Sequence, residues 1–415
     1  MLTRNQVRGF WAAWAGLALD GMDSFLYALV LVPAMRELLP RSGIPASQTN
    51  IGFYGSILFA TFLIGWGLSL VWGPISDRIG RVRTMVLTIL CFSLFTFLGC
   101  VATNIWELAI FRMFAGAGIG GEWTAGAVFL AEAWPESRRK RGAGYVHTGY
   151  YFGFFIASLI NYFVGPHYGW RWVFAAGGVP ALLVAFIRYG VTEPERWEKR
   201  AARSALQAFL ALFTPEYRAR TIRNTLLVFV SMVGLWAGSV YAPSAMTYMA
   251  SVAGYSTAGA ARVASFGSAL LSIGTILGCL MTPFLAEAFG RRAALGVYFA
   301  LMFTCIAGGF GYLYYHGSLA MFIVCMFFLG VGGANFSVYT LWVPEQYRTE
   351  CRGSAFAISS SFGRFFAAGI TFLVGAGVSS MHTIGKPVAY TSLAFLAGLL
   401  LLPGSVETKG KELPE

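Results

Sequence analysis

Runs of about 20 predominantly apolar residues, each long enough to cross a bilayer as a helix, recur along the whole of this 415-residue chain. Hydrophobic residues make up 57% of the sequence and charged residues only 12%, whereas about a quarter of the residues in a soluble domain are charged. The sequence therefore predicts an all-α polytopic membrane protein. We expect twelve spans, near residues 9–32, 51–73, 83–103, 106–132, 142–165, 171–190, 223–250, 262–287, 292–315, 317–344, 353–380 and 386–403.

Lysine and arginine are distributed unevenly between the two sides of the predicted bundle. With the N-terminus inside, most of the 30 basic residues fall in inner segments, among them the clusters at 78–83, 138–141 and 188–223. Cytoplasmic loops of membrane proteins carry this excess. We therefore predict a multi-pass plasma membrane protein, in the inner membrane of a bacterium, with both termini cytoplasmic. The net charge of +12 then requires no nucleic-acid partner.

The N-terminal region and the metal-binding residue types set further limits. We expect no cleavable signal peptide, because Asp20 and Asp23 interrupt the first apolar run. The six cysteines show no metal-ligand spacing, and the four histidines fall near predicted loops. The sequence shows no nucleophile–base constellation of an enzyme. We predict no enzymatic activity, no metal and no cofactor, with protons as the coupling ion.

A long polar stretch, residues 191–222, divides the spans into two sets of six. We expect an N-terminal six-helix bundle over 1–190, a cytoplasmic linker over 191–222 and a C-terminal six-helix bundle over 223–415. The bundles repeat each other, because "GPISDRIGRVR" (73–83) matches "PFLAEAFGRR" (283–292) and "GGEWTAGAVFLAEAW" (120–134) matches "GANFSVYTLWVPEQY" (333–347). Parallel repeats of six spans, with a binding site between them, are typical of secondary transporters.

These motifs resemble those of a known family. The loop "GPISDRIGRVR" resembles the sequence between the second and third spans of the major facilitator superfamily, and "GWRWVFAAGGVPALL" (169–183) is also similar to that superfamily. Within it, "LDGMD" (19–23), "GGEW…AEAWP" (120–135) and "GWRWVF…TEPERW" (169–197) resemble the sialate and lactate proton symporters and, more distantly, the aromatic-acid proton symporters. The resemblance implies two pseudo-symmetric six-helix bundles and transport by alternating access.

The sequence departs from these relatives in two places. Residues 191–222 leave no room for the additional helix pair of bacterial sialic acid transporters, which favours a smaller substrate. Phe154, in "GYYFGFF" (149–155), stands where drug antiporters have a proline, which favours symport.

Asp20 and Asp23 lie in an otherwise apolar span, where ionisable residues are costly and by default functional. At ~1.5 Å per residue, Asp23 is roughly 21 Å from the inner end of its span and Arg112 is roughly 9 Å from the outer end of the fourth span. In a core of about 30 Å these are the same level, so we predict an Asp23–Arg112 pair. Asp20, desolvated beside it, would carry the proton. The alternative is that Asp20 is hydrogen-bonded and does not titrate.

Glu122 is a third ionisable residue near the midplane, since it lies about 15 Å along the helix from Glu132 at the inner surface. Its counterpart in the repeat is the neutral Asn335. This asymmetry suggests that the N-terminal half couples protons, through Asp20, Asp23, Glu122 and Arg112, and that the C-terminal half contacts the substrate. The alternative is a Glu122 that only bonds to a neighbouring helix.

Arg364 is the only basic residue predicted deep in the second half, about 16 Å into its span, and no acid of that half lies near its level. Its guanidinium fork suits a carboxylate. The alternatives are that the backbone satisfies Arg364 or that it reaches the acids of the first span.

Two further groups complete the predicted site. Candidate pocket residues are Asn335 and the aromatic side chains Tyr27, Tyr150, Tyr151, Tyr241, Tyr339 and Trp342, although aromatic residues are also common in membrane cores. Charged residues at inner helix ends would, as the resemblance implies, latch the cytoplasmic side shut through salt bridges between the halves; they are Asp77, Arg81, Glu132, Glu287, Arg291, Glu345 and Arg352.

Together these features predict a proton-coupled symporter of a small organic anion, such as the monocarboxylates lactate or pyruvate, that works as a monomer in the bilayer. The alternatives are a proton symporter of a larger sialic or aromatic acid, a neutral-sugar porter of the same fold, and a membrane receptor that transports nothing. A receptor has no reason to keep ionisable residues at the midplane of both halves.

Overall fold

The computed structural model of the protein describes residues 2–178, 190–193, 205–235, 240–348 and 350–414, and all regular structure in these ranges is helical. The helices of the first half are α1 (Arg4–Arg41), α2 (Gln48–Leu68), α3 (Trp72–Ile79), α4 (Arg81–Gly99), α5 (Ile105–Ala133), α6 (Glu136–Phe163), α7 (Gly165–Tyr168) and α8 (Trp170–Ala175). Those of the second half are α9 (Ala205–Ala211), α10 (Arg218–Gly234), α11 (Ala242–Val252), α12 (Thr257–Ala288), α13 (Arg291–Gly308), α14 (Tyr314–His316), α15 (Leu319–Gly333), α16 (Asn335–Trp342), α17 (Arg352–Met381), α18 (Gly385–Tyr390) and α19 (Leu393–Leu401).

Eight helical stretches are long and apolar enough to cross a membrane: Arg4–Arg41, Asn50–Ser76, Arg81–Gly99, Thr257–Ala288, Arg291–His316, Leu319–Gln346, Arg352–Met381 and Gly385–Gly404. Helices α5 and α6, with 29 and 28 residues, match the predicted fourth and fifth spans in position. The predicted spans 171–190 and 223–250 fall partly on residues 179–189 and 236–239, and the linker on 194–204, all of which lie outside the described residues.

Helix α10 starts at Arg218, before the start near residue 223 that was predicted for the seventh span. The first turns of α10 carry arginines that bond to backbone carbonyls at the predicted inner face: Arg220 donates to Gln346 at 3.3 Å and Arg223 donates to Gly404. A charged side chain at a helix end does not stop the helix when it bonds to polar partners. The length of the apolar run therefore underestimates the length of the helix.

Glycines allow helices α1 and α6 to cross with almost no space between their backbones. A Cβ atom on Gly21 would lie 1.8 Å from the Tyr150 carbonyl oxygen, and a Cβ atom on Gly153 would lie 1.8 Å from that of Ala18. Small residues permit such close approach where lipid supplies no hydrophobic driving force between helices. The crossing fixes the position of α1 along α6, and with it the positions of the two aspartates on α1.

The two halves touch at both ends of their interface. At the outer end, the rings of Phe53 on α2 and Phe372 on α17 are 5.9 Å apart. Towards the inner end, a Cβ atom on Gly73 would lie only 2.7 Å from that of Ala357. Between these levels, Ser69 and Ser361 share a hydrogen bond of 3.1 Å. The halves are therefore in contact along the length of the seam that α2 and α3 form with α17.

Candidate functional site

A small cavity lies between the halves, with a volume of about 20 Å³, which is room for a single water molecule. Its wall combines aromatic rings and apolar side chains with one acid and one arginine, and it consists of Leu17, Asp20, Trp66, Trp123, His147, Tyr150, Tyr151, Met232, Leu235, Phe336 and Arg364. Helical spacing produces the N-terminal part of this wall, because residues three or four apart share a face, as Leu17 and Asp20 do on α1.

Arg364 reaches from α17 across to the N-terminal half, where its guanidinium carbon lies 4.1 Å from the centre of the Trp66 ring and 5.5 Å from that of Trp123. These cation–π contacts favour a buried guanidinium. Its Nη1 donates to the Ser360 carbonyl, but its Nε has no hydrogen-bond partner, and no ion pair to Arg364 occurs within the described residues. The sequence left two alternatives for Arg364, backbone bonding and a pair with the acids of the first span. One backbone bond forms, and Arg364 makes no ion pair with the aspartates within the described residues.

The ion pair predicted from depth along the helices is present. Arg112 Nη1 lies 3.4 Å from both carboxylate oxygens of Asp23, and both side chains are buried. Thr96 also donates to Asp23, and the Arg112 guanidinium lies 4.2 Å from the centre of the Phe62 ring. Asp23 therefore has both a cation and a hydroxyl donor beside it, and neither member of this pair lines the cavity.

Asp20 differs from Asp23 in every contact. It lines the cavity, and neither of its carboxylate oxygens has a hydrogen-bond partner among the residues that the structure describes. Glu122 is fully buried behind the cavity wall, where Thr88 donates to its Oε2 at 3.3 Å and its Oε1 faces Gly16 without a described partner. The structure thus places two acids without a cation partner beside a third that has one.

Of the predicted pocket residues, Tyr150, Tyr151 and Arg364 line the cavity and the others do not. The Tyr339 hydroxyl donates to the Leu227 carbonyl at 2.7 Å, the Tyr27 hydroxyl donates to Gly55 at 3.2 Å, and Asn335 Nδ2 donates to Gly332 at 2.9 Å. These groups satisfy neighbouring helix backbones in the packing around the cavity. Tyr241 stands before α11, and Trp342 donates to the Val406 carbonyl at 2.9 Å.

His147 was expected near a loop, and this expectation is wrong. Helix α6 begins at Glu136, which puts His147 about 16 Å along it, and its side chain is 4% exposed on the cavity wall. The sequence also gave no reason to select Trp66, Trp123 or Phe336. The only available signal was spacing: His147, Tyr150 and Tyr151 lie three and four residues apart, which puts polar aromatic groups on one helix face.

Two ion pairs among the predicted gate residues lie within the part of the chain that the structure describes, and each of them joins helices of a single half. Arg81 Nε and Nη2 donate to Glu132 at 3.1 and 3.0 Å, and Arg291 Nε and Nη2 donate to Glu345 at 2.9 and 2.8 Å. The reason is geometric. Arg81 and Arg291 each begin a helix that follows a loop, and Glu132 and Glu345 each lie near the end of a helical stretch that precedes the next loop on the same side of the same half. Among the described contacts, these bridges brace each bundle.

Three other predicted gate residues differ in their placement. Arg352 is buried in the C-terminal half, where it donates to the carbonyls of Pro344 at 3.2 Å and Pro414 at 2.8 Å. Glu287 is exposed at the end of α12. The side chain of Asp77 lies outside the described residues.

Two glutamates that the sequence did not single out cap helices next to these ion pairs. Glu193 accepts from the backbone N–H groups of Arg81, Val82 and Arg83, and Glu407 accepts from those of Arg291 and Arg292. Each caps a helix that starts after a glycine of positive φ, Gly80 at 113° and Gly290 at 91°, a conformation that favours glycine.

The two capping glutamates differ in pKa. Burial raises the pKa of Glu193 in spite of its three backbone donors. Burial acts in the same direction on Glu407, but backbone donors including those of Arg291 and Arg292 outweigh it, and its pKa is lowered. Glu407 is therefore the glutamate that the fold holds as an anion.

The C-terminal segment after α19 is part of this inner cluster. Thr408 donates to Glu345 at 2.6 Å, while Val406 and Pro414 accept from Trp342 and Arg352. Residues 406–414 thus run along the inner face of the C-terminal half, in contact with α16 and α17.

Comparison with known families agrees with an arrangement of two helical halves around a central cavity. The model of the Major Facilitator Superfamily matches residues 13–372. The chain belongs to this superfamily. As a superfamily member it is a membrane transporter and not an enzyme, which confirms the predicted fold class and family.

Individual relatives match this protein over nearly its whole length. A probable 4-methylmuconolactone transporter of Cupriavidus pinatubonensis is 30% identical, over 98% of this chain and 92% of the relative. The sialic acid transporter NanX of Escherichia coli is 25% identical, over 96% of this chain and 94% of the relative.

The fold itself is shared with a solved transporter. The structure of the proton:xylose symporter XylE, bound to 6-bromo-6-deoxy-D-glucose, superposes with a TM-score of 0.80 at 18% identity, over 99% of this chain and 98% of that one. At this identity the likeness shows the all-α polytopic fold of the superfamily and does not extend to the substrate.

Proposed function

We propose that this transporter is a proton-coupled symporter of a small organic anion with one carboxylate, of which lactate and pyruvate are the smallest examples. The observation that carries the proposal is the composition of one cavity wall, where Arg364 has no acid partner and Asp20 has no hydrogen-bond partner among the described residues. One relative supports the class of substrate, since it is named for sialic acid, which is an organic acid.

Arg364 provides the site for the substrate carboxylate. A buried guanidinium without a counter-ion favours an anion, and its planar fork matches two carboxylate oxygens. Its Nε is free to donate, because the backbone contact to Ser360 uses Nη1. The tryptophan rings on which Arg364 lies exclude water from one face, which strengthens any ion pair formed there.

Asp20 and Glu122 provide the site for the proton. An isolated ionised carboxylate is far more costly to bury than a protonated one, and two such groups near each other cannot both stay ionised. Asp23 differs from them, because Arg112 and Thr96 provide a cation and a hydrogen-bond donor that favour its ionised form. A proton carried by Asp20 would compensate the charge of the anion at Arg364, so the two would cross the membrane together.

The cavity volume sets the conformational requirement. A space of about 20 Å³ holds no organic acid, so a substrate enters only when the halves separate at one end. We propose that residues 1–190 rock against residues 223–415 around the cavity, with the segment 191–222 as linker. In this proposal the protein acts as a monomer in the bacterial inner membrane, with both termini cytoplasmic and without cofactor, metal or nucleic acid.

The alternative functions would require different residues on this cavity wall. A neutral-sugar porter would leave Arg364 buried without a counter-ion, and a receptor that transports nothing would not need Asp20. A larger acid would place the same carboxylate on Arg364 and differ only in the rest of the pocket.

Uptake into proteoliposomes under an imposed inward proton gradient tests the proposal. Purified protein should accumulate a labelled monocarboxylate, and a protonophore should abolish the accumulation. Empty liposomes and labelled xylose serve as controls. Accumulation of xylose without any acid would contradict the proposal and favour the neutral-sugar alternative.

A further inference from the structure

His147 is a polar group on the cavity wall that the proposed transport mechanism does not use. Its side chain is 4% exposed, and neither ring nitrogen has a hydrogen-bond partner among the residues described. Each imidazole nitrogen is a donor or an acceptor, and buried polar groups are normally hydrogen-bonded. Two nitrogens without a described partner, on a residue that lines a cavity, indicate a partner that arrives with the contents of that cavity.

Aromatic rings surround the imidazole. The ring centre of His147 lies 5.6 Å from that of Trp123, 6.1 Å from Tyr150, 5.7 Å from Tyr151 and 6.3 Å from Phe336. These contacts fix its orientation without using its nitrogens. Flat rings pack best against another flat group, and a three-carbon acid would cover little of this surface.

The imidazole and the guanidinium flank the same indole. The Arg364 carbon lies 5.5 Å from the centre of the Trp123 ring, close to the 5.6 Å of the imidazole. Trp123 is held in place by its own Nε1, which donates to Thr340 in the other half at 3.3 Å. A single-ring acid packed on this indole would be able to reach both polar groups.

We propose that His147 is a specificity-determining residue that hydrogen-bonds a second polar group of the substrate, and that the substrate is a planar ring carboxylate bearing such a group. This inference rests on the proposed function, because it takes Arg364 as the site of the carboxylate. It narrows the substrate from small organic anions in general to ring acids with a hydroxyl, carbonyl or ring nitrogen away from the carboxylate.

The test compares acids that differ only in the second polar group. Affinities of the purified protein for benzoate, 3-hydroxybenzoate, 4-hydroxybenzoate and lactate are measured by calorimetry. One neutral hydrogen bond in a buried site corresponds to about a tenfold gain, so at least one hydroxybenzoate should bind about tenfold more tightly than benzoate. In H147F this ratio should fall to about one, because phenylalanine keeps the ring and loses both nitrogens.

Matched variants separate the hydrogen bond from packing. H147Q, which returns a polar amide, should recover part of the ratio, and H167F, at an exposed histidine away from the cavity, should keep the parent ratio. If H147F does not fold, H147L is measured in its place and should show the same loss.

The outcomes distinguish this inference from the function on which it rests. A ratio that persists in H147F, or a parent that binds benzoate and both hydroxybenzoates equally, would overturn the role of His147. A parent that binds lactate and none of the ring acids would overturn the substrate class and leave the proposed function in place. A parent that binds none of the four acids would overturn the proposed function itself.

Discussion

Replacement of Arg364 by alanine removes the cation on which the proposed substrate site depends. Three features of the structure make this a sharp test: the side chain is 1% exposed, its Nε is without a described partner, and it forms no ion pair within the described ranges. The loss of Arg364 therefore breaks no salt bridge that the structure shows, and a fall in affinity would be attributable to the ligand.

The expected magnitude follows from the hydrogen bonds available. A carboxylate held by two donors of the guanidinium forms two charge-assisted bonds, each worth about 1.5–3 kcal/mol. In the alanine variant the anion is left without a partner at a water-poor site, which costs several kcal/mol. A loss of about 3 kcal/mol weakens binding by more than about a hundredfold. Lysine keeps the charge but not the fork, so R364K should bind with intermediate affinity.

Calorimetric titration of the purified protein with monocarboxylates measures the effect. The matched control is R41A, since Arg41 is an exposed arginine whose pair with Glu37, at 3.0 Å, lies at the outer end of α1. R41A should bind like the parent. A folded R364A with parental affinity would refute the anion site and revive the neutral-sugar alternative.

Three other perturbations follow from the structure. D20N and D23N should each lose accumulation driven by a proton gradient while keeping some counterflow exchange; if both accumulate substrate like the parent, the proton takes another route. G153L should lower the thermal unfolding midpoint and cost at least about 1–3 kcal/mol, because the new side chain meets the Ala18 carbonyl; a parental midpoint would mean that the crossing of α1 and α6 has more space than described. The lowered pKa of Glu407 stabilises the fold above its unfolded pKa and this contribution disappears as pH falls through the folded pKa, so E407Q should be less stable than the parent at neutral pH and should converge with it in acid, and a constant difference in midpoint across the titration would count against this linkage.

Apolar run length and the internal repeat were sufficient to predict the fold, because both are properties of local sequence. Arg223 shows the limit of this approach: its positive charge places it at the edge of a span, whereas the structure continues the helix beyond it to Arg218. Whether charge ends a helix depends on a partner elsewhere in the chain, and sequence spacing does not report that partner.

The site was predictable where depth along a helix decides contact. Counting residues brought Asp23 and Arg112 to one level, and they pair. The rotation of each helix about its axis is set by packing against several neighbours, and residue counting does not give it. For this reason Tyr339 was expected on the pocket wall but donates to a helix backbone, while His147 was missed.

The path of residues 406–414 has a practical consequence for handling the protein. These residues bond to Glu345, Trp342 and Arg352, so they are a structural strap and not a spare tail. A purification tag fused directly after Gly404, or a truncation there, would remove the cap on α13 together with these bonds. Tags and fluorescent reporters are better placed beyond Pro414, with a flexible spacer that leaves the strap on the inner face.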